Sequence, residues 1–169
     1  MKAKFSLITS WLIVAWICKV FLSSLPYKFS AHPDTQHIFG TIGIWMQNVL
    51  HEDIGSWFIK NGAYSVGIIE LLTSLLLLSP VLFILLKKLN LMKNTPSREL
   101  IHGLGGLLAA KVMLGAVFFH LVTPLGIEVF HNGKSDGGSL FYAAVSILAL
   151  GLILAAINLS KCQFCQKSE

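Results

Sequence analysis

The residues whose chemistry stands out are the ionisable ones set inside apolar sequence. Glu70 lies well within "SVGIIELLTSLLLLSPVLFILLKK", a run long enough to cross a bilayer. A carboxylate near the middle of a spanning helix costs about 2.5 to 3.5 kcal/mol on insertion scales unless it is neutralised or paired. Glu70 therefore needs a partner or a job. Two lysines share its apolar setting. Lys19 lies in the first apolar run and Lys111 in the third. At 1.5 Å per residue, Glu70 falls roughly 9 to 10 Å below the outer end of its run counted from Tyr64, and Lys19 falls roughly 9 Å below Leu25. Equal depth makes Lys19 the expected partner of Glu70. Lys111, near the midplane, is the second candidate because its flexible stem can snorkel outward.

Histidines add a phase constraint. His102 and His120 are 18 residues apart, five full turns, and share a helix face; Lys111 is nine residues from each, half a turn away. They cannot all point into one bundle. With Lys111 facing Glu70, both histidines are expected on the outer side of the bundle, at opposite interfaces.

A second polar group lies outside the apolar runs: His32, Asp34, His37, His51, Glu52 and Asp53, with His131 and Asp136 in another loop. His32 and His37 could converge on a metal only if a helix end brought Asp34 between them. No zincin-like spacing occurs, so the expectation is a solvated polar loop with no metal. Cys162 and Cys165 in "KCQFCQ" form a lone Cys-x-x-Cys. With no second pair to complete four ligands and no thioredoxin-like context, the plainer reading is two thiols on a tail. Juxtamembrane lipidation and a zinc shared across a dimer are the alternatives.

The elements that must position these groups follow from composition. With 54% hydrophobic residues, 12% charged residues and a mean hydropathy of +0.72, the chain is far more apolar than a soluble domain. Its expected medium is the lipid bilayer. The predicted fold is all-α: a polytopic membrane four-helix bundle forming one domain over 1–169, with helices near 5–25, 64–86, 100–123 and 138–159 and a tail over 160–169. The first segment reads as a retained helix, since its apolar stretch outruns a signal h-region and "FLSSLPYKF" offers no small-x-small cleavage site.

Between the first two segments, Pro26 to Ala63 is expected as a long outer loop carrying an interfacial or re-entrant helix near 35–50, entered at Asp34 or Thr35 behind Pro33. Trp45 and Trp57 would lie at headgroup level. Thr95 with Pro96 is the expected start of the third spanning helix, Pro124 its stop, and Gly137-Gly138 the turn into the fourth. Most of the 13 lysines and arginines fall in the N-terminal tail, the middle loop and the C-terminal tail. By the positive-inside rule both termini are cytoplasmic, and the expected location is a bacterial inner (plasma) membrane. The net charge of +5 is thus a topology signal and gives no reason to expect nucleic acid.

On "FLSSLPYKFSAHPDTQHIFGTIGIWM", the acid early in the second spanning helix and "DGGSLFYAAVSILALGLILA", the chain resembles the DoxX-like membrane proteins. In that family a lysine follows the first helix, a glutamate opens the second, and a glycine-led fourth helix closes the bundle. Lys28 and Glu70 match the lysine and the acid. Ser24-Leu25-Pro26 replaces the family glycine, and the tail "KCQFCQKSE" is not part of the pattern. The resemblance implies an accessory membrane subunit of a quinone- or thiol-linked redox system, with an outer pocket around Lys19, Lys28 and Glu70 as a quinone or small-molecule site. It also implies a redox or other membrane-protein partner, in an oligomer or alone. Catalytic residues are not legible: no haem-ligand histidine pair, nucleotide-binding glycine motif or outward-facing dithiol is present. A membrane-protein assembly or scaffold factor and a small proton-coupled transporter are the competing readings. They differ in whether Glu70 is held in an ion pair or is free to exchange protons.

Overall fold

The computed structural model describes residues 2–92 and 94–160, with side chains from Phe5 onward. Cys162 and Cys165 lie outside the described residues. Among the described residues five helices carry the fold: α1 (Lys2–Phe29), α2 (Pro33–Val49), α3 (Glu52–Lys88), α4 (Arg98–Val122) and α5 (Ser139–Leu159). A small hairpin of β1 (Phe130–His131) and β2 (Lys134–Ser135) joins α4 to α5. Four of the helices, all but α2, are long and apolar enough to cross a membrane.

The helices overrun the apolar segments that announce them. α1 does not stop at Leu25 but passes through Pro26 to Phe29. A proline in the last turn removes one N–H and leaves the remaining carbonyls of that turn free to accept, and Ser30 N–H closes onto the Pro26 carbonyl at 3.0 Å. α3 has 37 residues, about 55 Å of helix, against a hydrocarbon core of about 30 Å. The segment expected as a long outer loop is helix almost throughout, broken only at Ser30–His32 and Leu50–His51.

Local caps explain those starts. Pro33 is the first residue of α2, and His32, rather than Asp34 or Thr35, caps it by accepting from Asp34 N–H at 3.3 Å. His51 caps α3 in the same way through Asp53 N–H. Acidic side chains follow each cap, where the helix dipole favours negative charge. α4 is capped by Ser97, not Thr95; its hydroxyl accepts from Leu100 N–H at 3.2 Å.

α3 packs along α1 and α4, and α5 along α4 and α1, so α1 and α4 occupy opposite corners of the bundle. The core between them is built from Ile13, Val14, Ile17 and Phe21 of α1, Leu77 of α3, Met113 of α4, and Ile147 and Leu154 of α5. α4 and α5 approach most closely where Gly106 faces Gly151: a Cβ on either would stand 2.7 Å from the carbonyl oxygen of the other. α2 runs antiparallel to the first third of α3, with Phe39 over Gly62 and Gln47 bonded to Ser56. This helical hairpin covers the C-terminal end of α4, where Ile42, Leu125 and Val129 form a second small core beneath Met46, Phe58 and Phe119.

Candidate functional site: a buried lysine–glutamate pair and two polar clusters

Glu70 faces α1 from α3 and is 3% exposed. Its partner is Lys28: Nζ stands 2.7 Å from Glu70 Oε2 and 2.7 Å from Ser24 Oγ. Ser24 and Lys28 are four residues apart and therefore neighbours on one face of α1. The Ser24 hydroxyl accepts from Lys28 and has one proton to give, toward the Phe21 carbonyl at 2.7 Å or Glu70 Oε2 at 2.9 Å. Gly67, one turn above Glu70, makes room for this closure. A Cβ there would meet the Phe29 ring at 3.1 Å and Lys28 Cβ at 3.5 Å. Phe29 in turn stacks on Tyr64. The result is an acid clamped by a cation and a hydroxyl, a geometry that offsets the desolvation of both charges.

The expected pairing with Lys19 or Lys111 is therefore corrected. Counting depth from Leu25 ended α1 four residues too early; with its end at Phe29, beside Tyr64, the residues level with Glu70 are Ser24 and Lys28. Lys19 lies nine residues from Lys28 and so on the opposite face, exposed, with Nζ 5.3 Å from the Trp16 ring centroid. Lys111 is also exposed, on the outer side of α4.

The half-turn relation on α4 holds with its sense reversed. The histidines face inward and the lysine outward. His102 is fully buried, its Nδ1 2.8 Å from Ser10 Oγ, with Trp11 edge-on to its ring. Asn158 of α5 completes the cluster by donating from Nδ2 to Ser10 Oγ at 3.1 Å and to the Leu154 carbonyl at 2.8 Å. The Leu77 carbonyl lies beside the imidazole, yet His102 Nε2 has no partner in hydrogen-bonding geometry among the described residues. At the other end of the same face, His120 Nδ1 meets the Gly126 carbonyl at 2.6 Å and ties α4 to the loop beyond it. Ser10 and Asn158 were not singled out in the sequence, and Ser24 was noted only within Ser24-Leu25-Pro26, where the family has a glycine. Their only signal was polarity inside apolar runs, and Ser24 stands one turn before Lys28.

Of the polar residues in the loops, His32, Asp34, His37 and His131 gather at the start of α2. Asp34 Oδ1 meets His131 Nδ1 of β1 at 2.5 Å, its Oδ2 is 3.5 Å from His32 Nδ1, and His37 stacks on His131. The His131 hydrogen bond, with the nearby His32 and His37, holds the Asp34 carboxyl below the usual aspartate value. His37 and His32 thus meet through Asp34 and His131 rather than directly, while His51 is an exposed cap remote in role from them. Among the described residues, no group of three or more His, Cys, Asp and Glu side chains is placed to hold a metal ion.

Asp136 organises the second loop. Its carboxylate accepts from the N–H groups of Val129, Gly138 and Leu140 and from the Ser139 hydroxyl. Partial burial pushes its carboxyl up, but these donors outweigh burial and hold it below the usual value. Gly137 and Gly138, both at positive φ, make the turn into α5 that brings Leu140 N–H within reach.

No family model matches the chain, and no curated protein or solved structure matches it.

Proposed function

We propose that this protein is a DoxX-like accessory membrane subunit of a redox system, with N and C termini on the cytoplasmic face of a bacterial plasma membrane. The observation that carries the reading is the Lys28–Glu70 contact. The lysine and the acid on which the resemblance rests, with all of α2 between them in sequence, stand 2.7 Å apart. A glutamate fixed by both a cation and a hydroxyl suits a structural clamp or a ligand-binding edge. It does not suit a coupling acid that must gain and lose a proton in each cycle, which argues against the transporter.

Quinone chemistry fits this edge through a single donor. The Lys28 ammonium carries three protons, and its bonds to Ser24 and Glu70 leave one for a quinone carbonyl beside the stacked Phe29 and Tyr64 rings. Lys19 drops out of that pocket because it faces the other way. A bound quinone would supply the electron-carrying group; the chain's own residues would orient it and hold the charge beneath it. α2 and the start of α3, set over the outer end of the bundle, would serve as the docking cover at the membrane interface.

The scaffold reading is the second, and Lys19 and Lys111 favour it, since outward-facing lysines in spanning helices invite partner helices. Purification from native membranes in mild detergent, with quinone extraction and composition of the complex, tests both. Quinone lost on Lys28→Met would support the redox subunit, and a stoichiometric partner without quinone would support the scaffold. A lone chain carrying neither would refute both. Orientation is tested separately by Ser135→Cys, which should react with an impermeant thiol reagent from the outer side of intact cells.

A further inference from the structure

α4 presents one continuous outward stripe, Leu104, Leu107, Lys111, Leu114, Phe118 and Leu121, every member exposed. Its spacing alternates three and four residues throughout. That is the seam geometry by which one helix packs along another, and Lys111 occupies its centre. From either end of α4 (Arg98 or Val122) Lys111 is at least eleven residues away, about 16 Å along the axis. A lysine stem extends several ångströms, so its ammonium stops well short of either headgroup layer.

No hydrogen bond, ion pair or aromatic face reaches Lys111 among the described residues, whereas Lys19 at least lies over Trp16. A second copy of the chain offers no remedy. Glu70 is the one acid within the apolar part of any spanning helix, and it is buried and bound to Lys28. Apposing two α4 seams would bring Lys111 against Lys111.

We propose that the α4 stripe is the docking seam for a membrane-spanning helix of a different protein that carries an Asp or Glu near the bilayer midplane, paired with Lys111. This rests on the accessory-subunit reading and names the chemistry of the partner. The carboxylate is required by charge, the helical form by the absence of water to satisfy any other backbone at that depth, and the heptad-like spacing by a near-parallel or antiparallel crossing. Burial of the pair between two helices removes both charges from lipid. It also sets the register, since only one turn of the partner can face Lys111.

The test uses the full chain in its native membranes, with a photo-crosslinking residue at Leu107 or Leu114. Both positions are expected to trap the same second protein, with an acid at mid-span in the captured helix. Lys111→Met should lower the yield at least about tenfold and Lys111→Arg should retain it, because a truncated charge pair leaves the partner's acid uncompensated. Lys111→Glu combined with a lysine at the partner's acid should restore it. Unchanged melting of purified Lys111→Met would show that the chain itself still folds. The proposal is overturned by cross-links to a second copy of this chain, by lipid adducts alone, or by a yield indifferent to Lys111→Met. If a stoichiometric complex survives on native gels while the α4 cross-links are absent, the seam is wrong and the accessory reading stands. If no complex exists at all, both fall.

Discussion

Lys19 and Lys28, nine residues apart, stand on opposite faces of α1: Lys28 meets Glu70 at 2.7 Å, and Lys19 lies exposed over Trp16. The same offset separates Lys111 from His102 and His120 on α4, where the histidines are buried and the lysine is not. In each helix the inward phase goes to the residues that find partners elsewhere in the fold. The remaining lysine is turned out by geometry alone.

Breaking the clamp from either side should therefore be costly. Glu70→Gln and Lys28→Met should each destabilise the protein by about 3 kcal/mol, since each leaves one buried charge uncompensated, and the double variant should recover much of the loss. Thermal unfolding in one detergent measures all three. Rescue of Glu70→Gln by Lys19→Met or Lys111→Met instead would contradict the pairing.

The inner cluster should behave as a coupled unit. Ser10→Ala leaves His102 Nδ1 without its partner, and Asn158→Leu removes the amide that bridges α5 to Ser10. Each change should cost about 1 to 3 kcal/mol, with a non-additive remainder of about 0.5 kcal/mol or more in the double variant. Strict additivity in a double-mutant cycle would mean that Ser10 and Asn158 act independently.

Asp136 makes a pH-dependent contribution of definite sign. Its folded carboxyl titrates below its unfolded value of about 3.9, so below neutrality the unfolded chain takes up its proton first. The stabilisation is present above that value and is lost as pH falls through the lower folded one. Asp136→Asn should flatten this acid limb of the stability profile, and Asp136→Ala should also loosen the start of α5 by about 1 kcal/mol. Equal acid limbs in wild type and Asp136→Asn would show that the carboxylate is not the group responsible.

Close packing of α2 on α3 gives a steric prediction with an internal control. A Cβ at Gly55 would run into the Gly43 carbonyl and stand 2.5 Å from Gln47 N, and backbone cannot yield as a side-chain tip can. Gly55→Ala should destabilise by about 1 to 3 kcal/mol. Gly40→Ala, which meets nothing within 4 Å, should be neutral or stabilise α2 by up to about 1 kcal/mol. Indistinguishable melting temperatures for the two variants would remove the helix contact as the cause.

Hydropathy alone identified four spanning segments and an all-α chain, because burial in lipid demands long apolar runs whatever their neighbours. Helical periodicity likewise required that Lys111 oppose His102 and His120. Neither source could say where the helices end. Hydropathy marks the part of a helix that suits lipid, and α1 and α3 continue beyond it through stretches broken by charged residues, such as Lys28 in α1 and Glu52, Asp53 and Lys60 in α3. That missing length misplaced the depth of Lys28 and assigned Glu70 to Lys19. Nor could periodicity choose which face of α4 turns inward. The choice depends on what the rest of the fold offers at each level: Ser10, itself held by Asn158, meets the imidazole of His102 near the start of α4, and the Gly126 carbonyl in the loop beyond α4 meets that of His120. The bundle offers Lys111 no acid at its depth, because Ser24 and Lys28 already hold Glu70, the one acid in the apolar part of a spanning helix. Partner identity across helices is a tertiary property, set by register and crossing, and it decided both lysine orientations.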